Sequence, residues 1–297
     1  MRGCLVYNGS FVNHQVTGMI ESFSRAFKAL GVGLFPVVSD EFIICYDGGI
    51  NILYKGKAFD KASANFILFW DKDIRLAKAF ESLGIPVFNN ARAIETCDNK
   101  LATHEKLCGH DIPMPPTVAA PFVYNNRELS GTPDFLHRVE NILGYPMIVK
   151  EAYGSLGMQV YLINDREELS AIYSRLRHIP HLYQKYIAES RGLDIRVYVI
   201  GGKAAGACER RCGADFRSNI QFGGKMSVVT PDKEYIKIAR KAAKLLNLDY
   251  CAVDFLQSNN GPLLCEVNSN AFFNTYVSLG GKDIALEYAK HISDGVG

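Results

Sequence analysis

Cys251-Ala-Val-Asp-Phe-Leu256 and Leu263-Leu-Cys-Glu-Val-Asn268 are two short apolar runs joined by Gln257-Ser-Asn-Asn-Gly-Pro262, a stretch rich in turn-forming residues. Apolar runs of this length bounded by such a turn read as an antiparallel hairpin. Side chains alternate along a strand, so Glu266 and Asn268 share a face, and cross-strand pairing can set Asp254 beside them. Two carboxylates and an amide are hard oxygen donors. When only a few protein oxygens hold Mg²⁺, water and phosphate oxygens fill its remaining positions. An isolated D…ExN pattern is more often a solvated hairpin, so the metal reading depends on what lies upstream.

The chain has 297 residues, 48% of them hydrophobic, enough for about two domains with substantial cores. Lys plus Arg number 33 against 31 Asp plus Glu, and a formal charge of +2 gives no overall footprint for nucleic acid. Local basic clusters have to be weighed one at a time. Apolar runs such as Phe66-Ile-Leu-Phe-Trp70 fall far short of the roughly 20 residues of a membrane helix, so no membrane partner is expected. Cys4-Leu-Val-Tyr7 is too brief for a signal-peptide core and reads as a first strand, which makes the cytoplasm the expected compartment. The eight cysteines form no CxxC pair and read as reduced packing residues, with Cys208 and Cys212 a weak metal half-site.

Strand and helix patterns alternate from the start. Gly3 to Asn8, the stripe Met19, Ile20, Phe23, Phe27, Leu30 within Gln15 to Leu30, and Leu34 to Val38 form a β-α-β opening. Phe42 to Tyr46 and Ile50 to Tyr54 flank a hairpin turn at Asp47-Gly-Gly49. Asn65 to Trp70 reads as a strand, Ile74 to Leu83 as a helix with Asp71 and Asp73 near its N-terminus, Val87 to Asn89 as a strand, and Asn99 to Cys108 as a helix capped by Asp98. The expected division is an N-terminal α/β domain over 1–100, a central segment with a glycine loop over 101–190, and a C-terminal segment with the metal site over 191–297.

Pro146-Met-Ile-Val-Lys150 reads as a strand ending in lysine, and Glu151-Ala-Tyr-Gly-Ser-Leu-Gly-Met158 follows at once. Glycines 154 and 157 let successive N–H groups point into one concavity, a geometry suited to phosphates, although most Gly-x-x-Gly segments are merely turns. Gln184 to Ile187 can offer backbone groups to an adenine edge, with Asp194 facing a ribose. The ordered set Lys100, Lys150, GSLG, QKYI, LDIR, ERR, DFRSN, VDF and EVN resembles the ATP-grasp superfamily, and within it the RimK-like ligases that add glutamate to carboxylates. The likeness runs from about Lys100 to the C-terminus, and the first hundred residues suit the preceding α/β domain of that family. The implied fold class is mixed α/β and α+β, an ATP-grasp fold with an N-terminal α/β pre-ATP-grasp domain.

The resemblance implies ATP and Mg²⁺ as cofactors, with Mn²⁺ as an alternative and two metal ions in the site. Lys100 and Lys150 match the lysines that neutralise phosphates, and Gly154, Ser155 and Gly157 match the mobile loop. Gln184, Lys185, Tyr186, Ile187 and Asp194 match the adenine and ribose segment. Arg217, Ser218 and Asn219 match a segment facing nucleotide and substrate, Arg210 falls near the arginine that meets the transferred phosphoryl group, and Asp254, Glu266 and Asn268 match the metal ligands. The implied partners are ATP plus carboxylate and amine substrates, amino acids or peptides, and a homo-oligomer is a family-level expectation.

A carboxylate oxygen is a poor leaving group, so ATP would convert it to an acyl phosphate that an amine attacks. Arg210, Arg217 and Asn219 are the catalytic candidates, with Arg210 or Asn219 steadying the tetrahedral oxyanion. A peptide-modifying enzyme that makes ester or amide crosslinks in a precursor, and a noncatalytic nucleotide sensor, are the alternatives. His104, Glu105 and His110 read as solvated. Where relatives carry a loop of small residues after the EVN motif, this chain has Ser269-Asn-Ala-Phe-Phe-Asn-Thr275, whose phenylalanines are expected to change the acceptor wall. The resemblance alone therefore does not fix glutamate as the transferred group or a ribosomal protein tail as acceptor. Arg191 and Arg217 can receive an anionic amino acid.

Overall fold

The computed structural model describes residues 1–124 and 132–296. It begins with β1 (Arg2–Tyr7), α1 (His14–Ala29), β2 (Gly33–Val38), β3 (Phe42–Tyr46), β4 (Ile50–Tyr54) and β5 (Lys57–Phe59). β6 (Phe66–Trp70), α2 (Ile74–Ser82), β7 (Val87–Phe88), α3 (Ala91–Asp98) and α4 (Lys100–Leu107) follow. Next come β8 (Thr117–Ala119), α5 (Thr132–Leu143), β9 (Met147–Glu151), β10 (Val160–Ile163), α6 (Arg166–Leu176) and β11 (His181–Lys185). The last stretch holds β12 (Leu193–Ile200), β13 (Lys203–Arg211), β14 (Lys225–Val228), α7 (Lys233–Leu245), β15 (Tyr250–Ser258), β16 (Gly261–Asn268), α8 (Asn274–Ser278) and α9 (Ile284–Val296).

The opening β-α-β unit forms because α1 buries Val16, Met19, Phe23, Ala26 and Phe27 along one stripe, and Asn13 caps its free N–H groups. β2-β1-β6-β7 make a parallel sheet, and β3-β4-β5 make an antiparallel meander beside it. Asp73 caps α2 as expected, accepting from the N–H groups of Arg75 and Leu76. Asp98 does not cap α4. It ends α3, a helix that the sequence pattern does not separate from its neighbour, and pairs with Lys72, while the extended residue Asn99 accepts from Leu101 and Ala102.

Two antiparallel sheets complete the molecule, β10-β9-β11-β8 and β14-β13-β12-β15-β16. The second has two unlike faces, as a period of two dictates. Ile195, Val197, Val199, Cys251, Val253 and Phe255 pack with Ile238, Ala239, Ala242 and Ala243 of α7. The alternate residues Tyr198, Ile200, Tyr250 and Ala252 enter a different core, shared with Phe23 and Trp70 of the opening unit and Tyr288 of α9. Further along the same face, the strands carry Asp194, Arg196 and Asp254 instead of apolar residues.

Asn89 fastens the opening unit to this sheet. Its side chain is 2% exposed and fully bonded: Nδ2 donates to the carbonyls of Tyr250 (2.8 Å) and Ser269 (3.1 Å), and Oδ1 accepts from the N–H groups of Asp249 (2.8 Å) and Tyr250 (2.9 Å). A buried amide satisfied on both sides is stabilising, whereas a half-satisfied one is not.

Candidate active site

The hairpin expected over Cys251 to Asn268 is β15–β16, and its register sets Asp254 opposite Glu266 and Ala252 opposite Asn268. The connection is tighter than the six-residue turn expected from the sequence, because pairing continues to Ser258 opposite Gly261. Phe255 pairs with Leu264, so Cys265 is an extra residue on β16. Such a bulge re-aims neighbouring side chains. Here it turns the Cys265 thiol toward Lys150, 3.4 Å from Nζ.

Asp254 is buried and densely bonded. Arg196 grips it with two bonds (Nε–Oδ1 2.7 Å, Nη2–Oδ2 2.8 Å), Arg210 Nη2 donates to Oδ2 at 2.9 Å, and Asn268 Nδ2 donates to the same oxygen at 3.2 Å. Burial alone would raise the Asp254 carboxyl, but the guanidiniums of Arg196 and Arg210 outweigh it and hold the group below the usual carboxylate range. Arg210 also forks onto Asp194, with Nε 2.8 Å from Oδ1 and a close contact at Oδ2, and Ser218 Oγ donates to Asp194 Oδ2 at 2.6 Å. Asp194, expected from the sequence to face a ribose, lines the cavity and has a structural duty as well. Both its oxygens are taken, and it anchors Arg210. Arg196, the last residue of the LDIR motif but given no role by the resemblance, is the residue that sequence reasoning misses; its alternation with Asp194 along β12 is the available signal.

Lys100 and Lys150 approach the same cavity from other elements. Lys100 stands at the first position of α4, where the helix dipole disfavours a cation, and reaches Glu266 Oε1 at 3.4 Å and the Gly154 carbonyl at 3.2 Å. Lys150, at 7% exposure, lies near the end of β9 and meets the neutral thiol of Cys265; among the described residues no carboxylate pairs with it. Both lysines, Gly154, Ser155, Gly157, Gln184, Lys185, Tyr186, Ile187, Asp194, Arg210, Arg217, Ser218, Asn219, Asp254 and Glu266 line one cavity. Asn268 lies beyond Glu266 on β16, reaching it through Asp254.

The glycine loop lies folded over this cavity. Arg217, forked onto Asp215 and with its guanidinium carbon 3.5 Å from the Phe222 ring centroid, donates through Nη1 to the Gly157 carbonyl at 2.9 Å, and Gln221 donates to that of Leu156. Gly157 has φ +75°, and a Cβ there would sit 2.9 Å from Asn219 Oδ1 and 3.2 Å from Phe222. Gly157→Ala is expected to strain this closed form by about 1–2 kcal/mol and shift the loop toward an open form while leaving Tm nearly unchanged. Limited proteolysis of the loop beside a melting curve checks it.

β11 ends at Lys185, whose N–H bonds the Pro116 carbonyl at 2.9 Å, so Tyr186 and Ile187 lie beyond the sheet. The Gln184 side chain is buried and bonded to Thr117 Oγ1 at 3.0 Å, with His104 Nε2 at 3.4 Å. His104 is thus not the solvated residue the sequence suggests. Burial first, and Lys150 second, push its pKa down to about 4. A histidine depressed in the folded state binds fewer protons there than when unfolded, so stability falls as pH drops from about 6.5 to about 4. After allowance for partial exposure the loss is on the order of 2 kcal/mol. Urea titrations across that window should show a shallower decline for His104→Gln. Glu105 and His110 are exposed.

The loop after Asn268 departs from expectation as well. Phe273 is 1% exposed and packs edge-on against Phe23 and Trp70, so it builds the core and not the acceptor wall. Its neighbours Asn270 and Asn274 reach the opening unit, donating to the carbonyls of Asp71 (3.0 Å) and Gln15 (2.7 Å).

A family model for the RimK-like ATP-grasp domain matches residues 97–292, and the chain belongs to that family. It is 38% identical over 210 residues to human N-acetylaspartylglutamate synthase A, covering 68% of this chain and 51% of the relative. It is 34% identical over 221 residues to zebrafish (Danio rerio) beta-citrylglutamate synthase B, covering 72% and 52%. The chain therefore spans about half the length of these curated relatives. Among solved structures, a RimK domain ATP-grasp protein from Sphaerobacter thermophilus superposes with a TM-score of 0.69 at 21% identity, covering 99% of this chain and 100% of the other. The mixed α/β architecture is that of the ATP-grasp fold. ATP and Mg²⁺ serve this family in general, and no described helix is long and apolar enough to cross a membrane.

The donor set at the hairpin fits a hard divalent cation. Glu266 and Asp254 place carboxylate oxygens at the cavity, those of Asp254 already accepting from Arg196 and Arg210 so that a bound cation would share them with the guanidiniums, and the Asn268 amide can present oxygen in place of nitrogen by a half-turn of its terminal bond.

Proposed function

We propose that the chain is an ATP-dependent carboxylate–amine ligase that joins an amino acid or peptide to a carboxylate through an acyl phosphate, releasing ADP and phosphate. The observation that carries this reading is Lys150, a buried cation without a carboxylate partner among the described residues, in one cavity with Lys100, Arg210 and the Asp254–Glu266 pair. A buried charge needs a counter-charge, and a polyphosphate supplies it.

Lys100 and Lys150 would bind nucleotide phosphates, with the Gly154–Gly157 loop covering them and Tyr186 and Ile187 bordering the base. Asp254, Glu266 and Asn268 would hold Mg²⁺, in the two-ion arrangement expected from the sequence; bound there, the ion would neutralise phosphate charge. Asp194 and Asp254 fix Arg210 so that its guanidinium needs no reorganisation when charge develops on the transferring group. Arg217 and Asn219, in contact with the loop, would hold it shut so that the acyl phosphate is kept from water until the amine arrives. The names of both curated relatives end in glutamate coupled to another acid, which supports glutamate as the first amine to test.

The test is ADP release from the purified chain with ATP and Mg²⁺ against a panel of carboxylates paired with glutamate, other amino acids and short peptides, read with product mass. Substrate-dependent ADP release with a new amide mass is expected. ATP binding without turnover on any pair would overturn the reading in favour of a nucleotide sensor.

A further inference from the structure

On the side of the five-stranded sheet remote from the cavity, α7 presents Lys233, Lys237, Arg240, Lys241 and Lys244. These positions are spaced i, i+4, i+7, i+8, i+11, which places all five cations on one stripe, opposite the stripe of Ile238, Ala239, Ala242 and Ala243 that meets the sheet. They line a groove of about 790 Å³ closed at its far side by the Gly201–Gly202 turn and His291. Among the described residues its one acidic lining residue is Asp249, which His291 meets at 3.0 Å. Arg240 Nε donates to the Gly202 carbonyl at 2.9 Å, and Lys241 meets the exposed Asp111 at 3.5 Å. Among the described residues Lys233, Lys237 and Lys244 have no acidic partner. A polar outer face is what an amphipathic helix requires, but like charges four apart repel, so a face of one sign costs the helix about as much per pair as an alternating one would gain.

We propose that this groove docks an acidic peptide segment of a protein partner, apart from the catalytic cavity and independent of turnover. The stripe runs 11 residues along the helix, roughly 16 Å at 1.5 Å per residue, the reach of about five extended residues. A nucleic-acid strand would call for stacking platforms, and among the described residues no phenylalanine, tyrosine or tryptophan lines the groove. A membrane surface would call for a broad exposed apolar face beside the lysines, whereas the α7 apolar residues that border the groove are the half-buried Ile236 and the buried Ala243, and Ile238, Ala239 and Ala242 face the sheet.

The test uses the full chain with a fluorescein-labelled hexaglutamate peptide, followed by anisotropy at low and physiological salt. The expected result is saturable binding that weakens with salt, is not displaced by ATP, and drops about tenfold or more in the triple variant Lys237→Glu, Arg240→Glu, Lys244→Glu, whose melting curve and ATP-induced thermal shift stay as in the parent. Should the triple variant not fold, Lys237→Glu alone is expected to weaken binding about threefold. Binding unchanged by these substitutions, displaced by ATP, or matched by a single-stranded RNA of equal charge would overturn the proposal.

Discussion

Asp254→Ala is expected to abolish ADP release, by a factor of at least about a thousand, and to destabilise the fold by about 4 kcal/mol. The two losses have one physical source. The Asp254 carboxylate is the shared acceptor for Arg196 and Arg210, and removing it leaves the largely buried Arg196 guanidinium without its anion and Arg210 with Asp194 alone. Breaking a buried pair by deleting one partner costs far more than deleting both. The double variant Asp254→Asn, Arg196→Met should therefore recover much of the stability while staying inactive. Urea denaturation of the single and double variants, beside the ADP assay, separates the structural contribution of the network from its catalytic one. If the double variant is no more stable than Asp254→Ala, Arg196 is not held mainly by this carboxylate.

Lys150→Met is expected to act in the opposite sense on stability. Lys150 is buried with a thiol as its neighbour and no carboxylate partner among the described residues, so the folded chain bears the desolvation of an unmatched cation. Methionine keeps most of the length of the side chain without the charge, and a gain on the order of 1 kcal/mol is expected. Turnover should fall by about a hundredfold or more, since the charge that meets a phosphate oxygen is gone. The thermal shift produced by ATP and Mg²⁺ should shrink in parallel. A variant that is more stable and nearly inactive marks a residue kept for its ligand. A variant that is less stable would mean Lys150 has a structural partner and would weaken the phosphate assignment.

Much of this site is legible in the sequence. The strand period places Glu266 and Asn268 on one face, and the hairpin register puts Asp254 opposite Glu266, because both follow from local rules acting over few residues. The glycine loop and the lysine that precedes it are legible for the same reason. Pairing between side chains far apart in the chain is not. Asp194 pairs with a residue 16 positions on, and Arg196 with one 58 positions on, so their common role as clamps depends on the β12–β13 and β12–β15 registers. The bulge at Cys265 and the inward turn of Phe273 are likewise hidden. Both are decided by packing between sheets, where a tertiary neighbour outweighs local pattern.

Asn89 carries a consequence for anyone who would cut this chain into pieces. The family match begins at residue 97, which invites a truncation there, yet Asn89 lies upstream of that point and closes four hydrogen bonds onto residues 249, 250 and 269. Phe23 and Trp70 lie upstream as well, roofing Phe273 and Tyr250. A fragment starting at the homology boundary would keep every motif and lose the surface on which those motifs rest. It would expose buried aromatic rings and be prone to aggregate. Here ancestry and foldability draw their borders in different places, and an expression clone should follow the second.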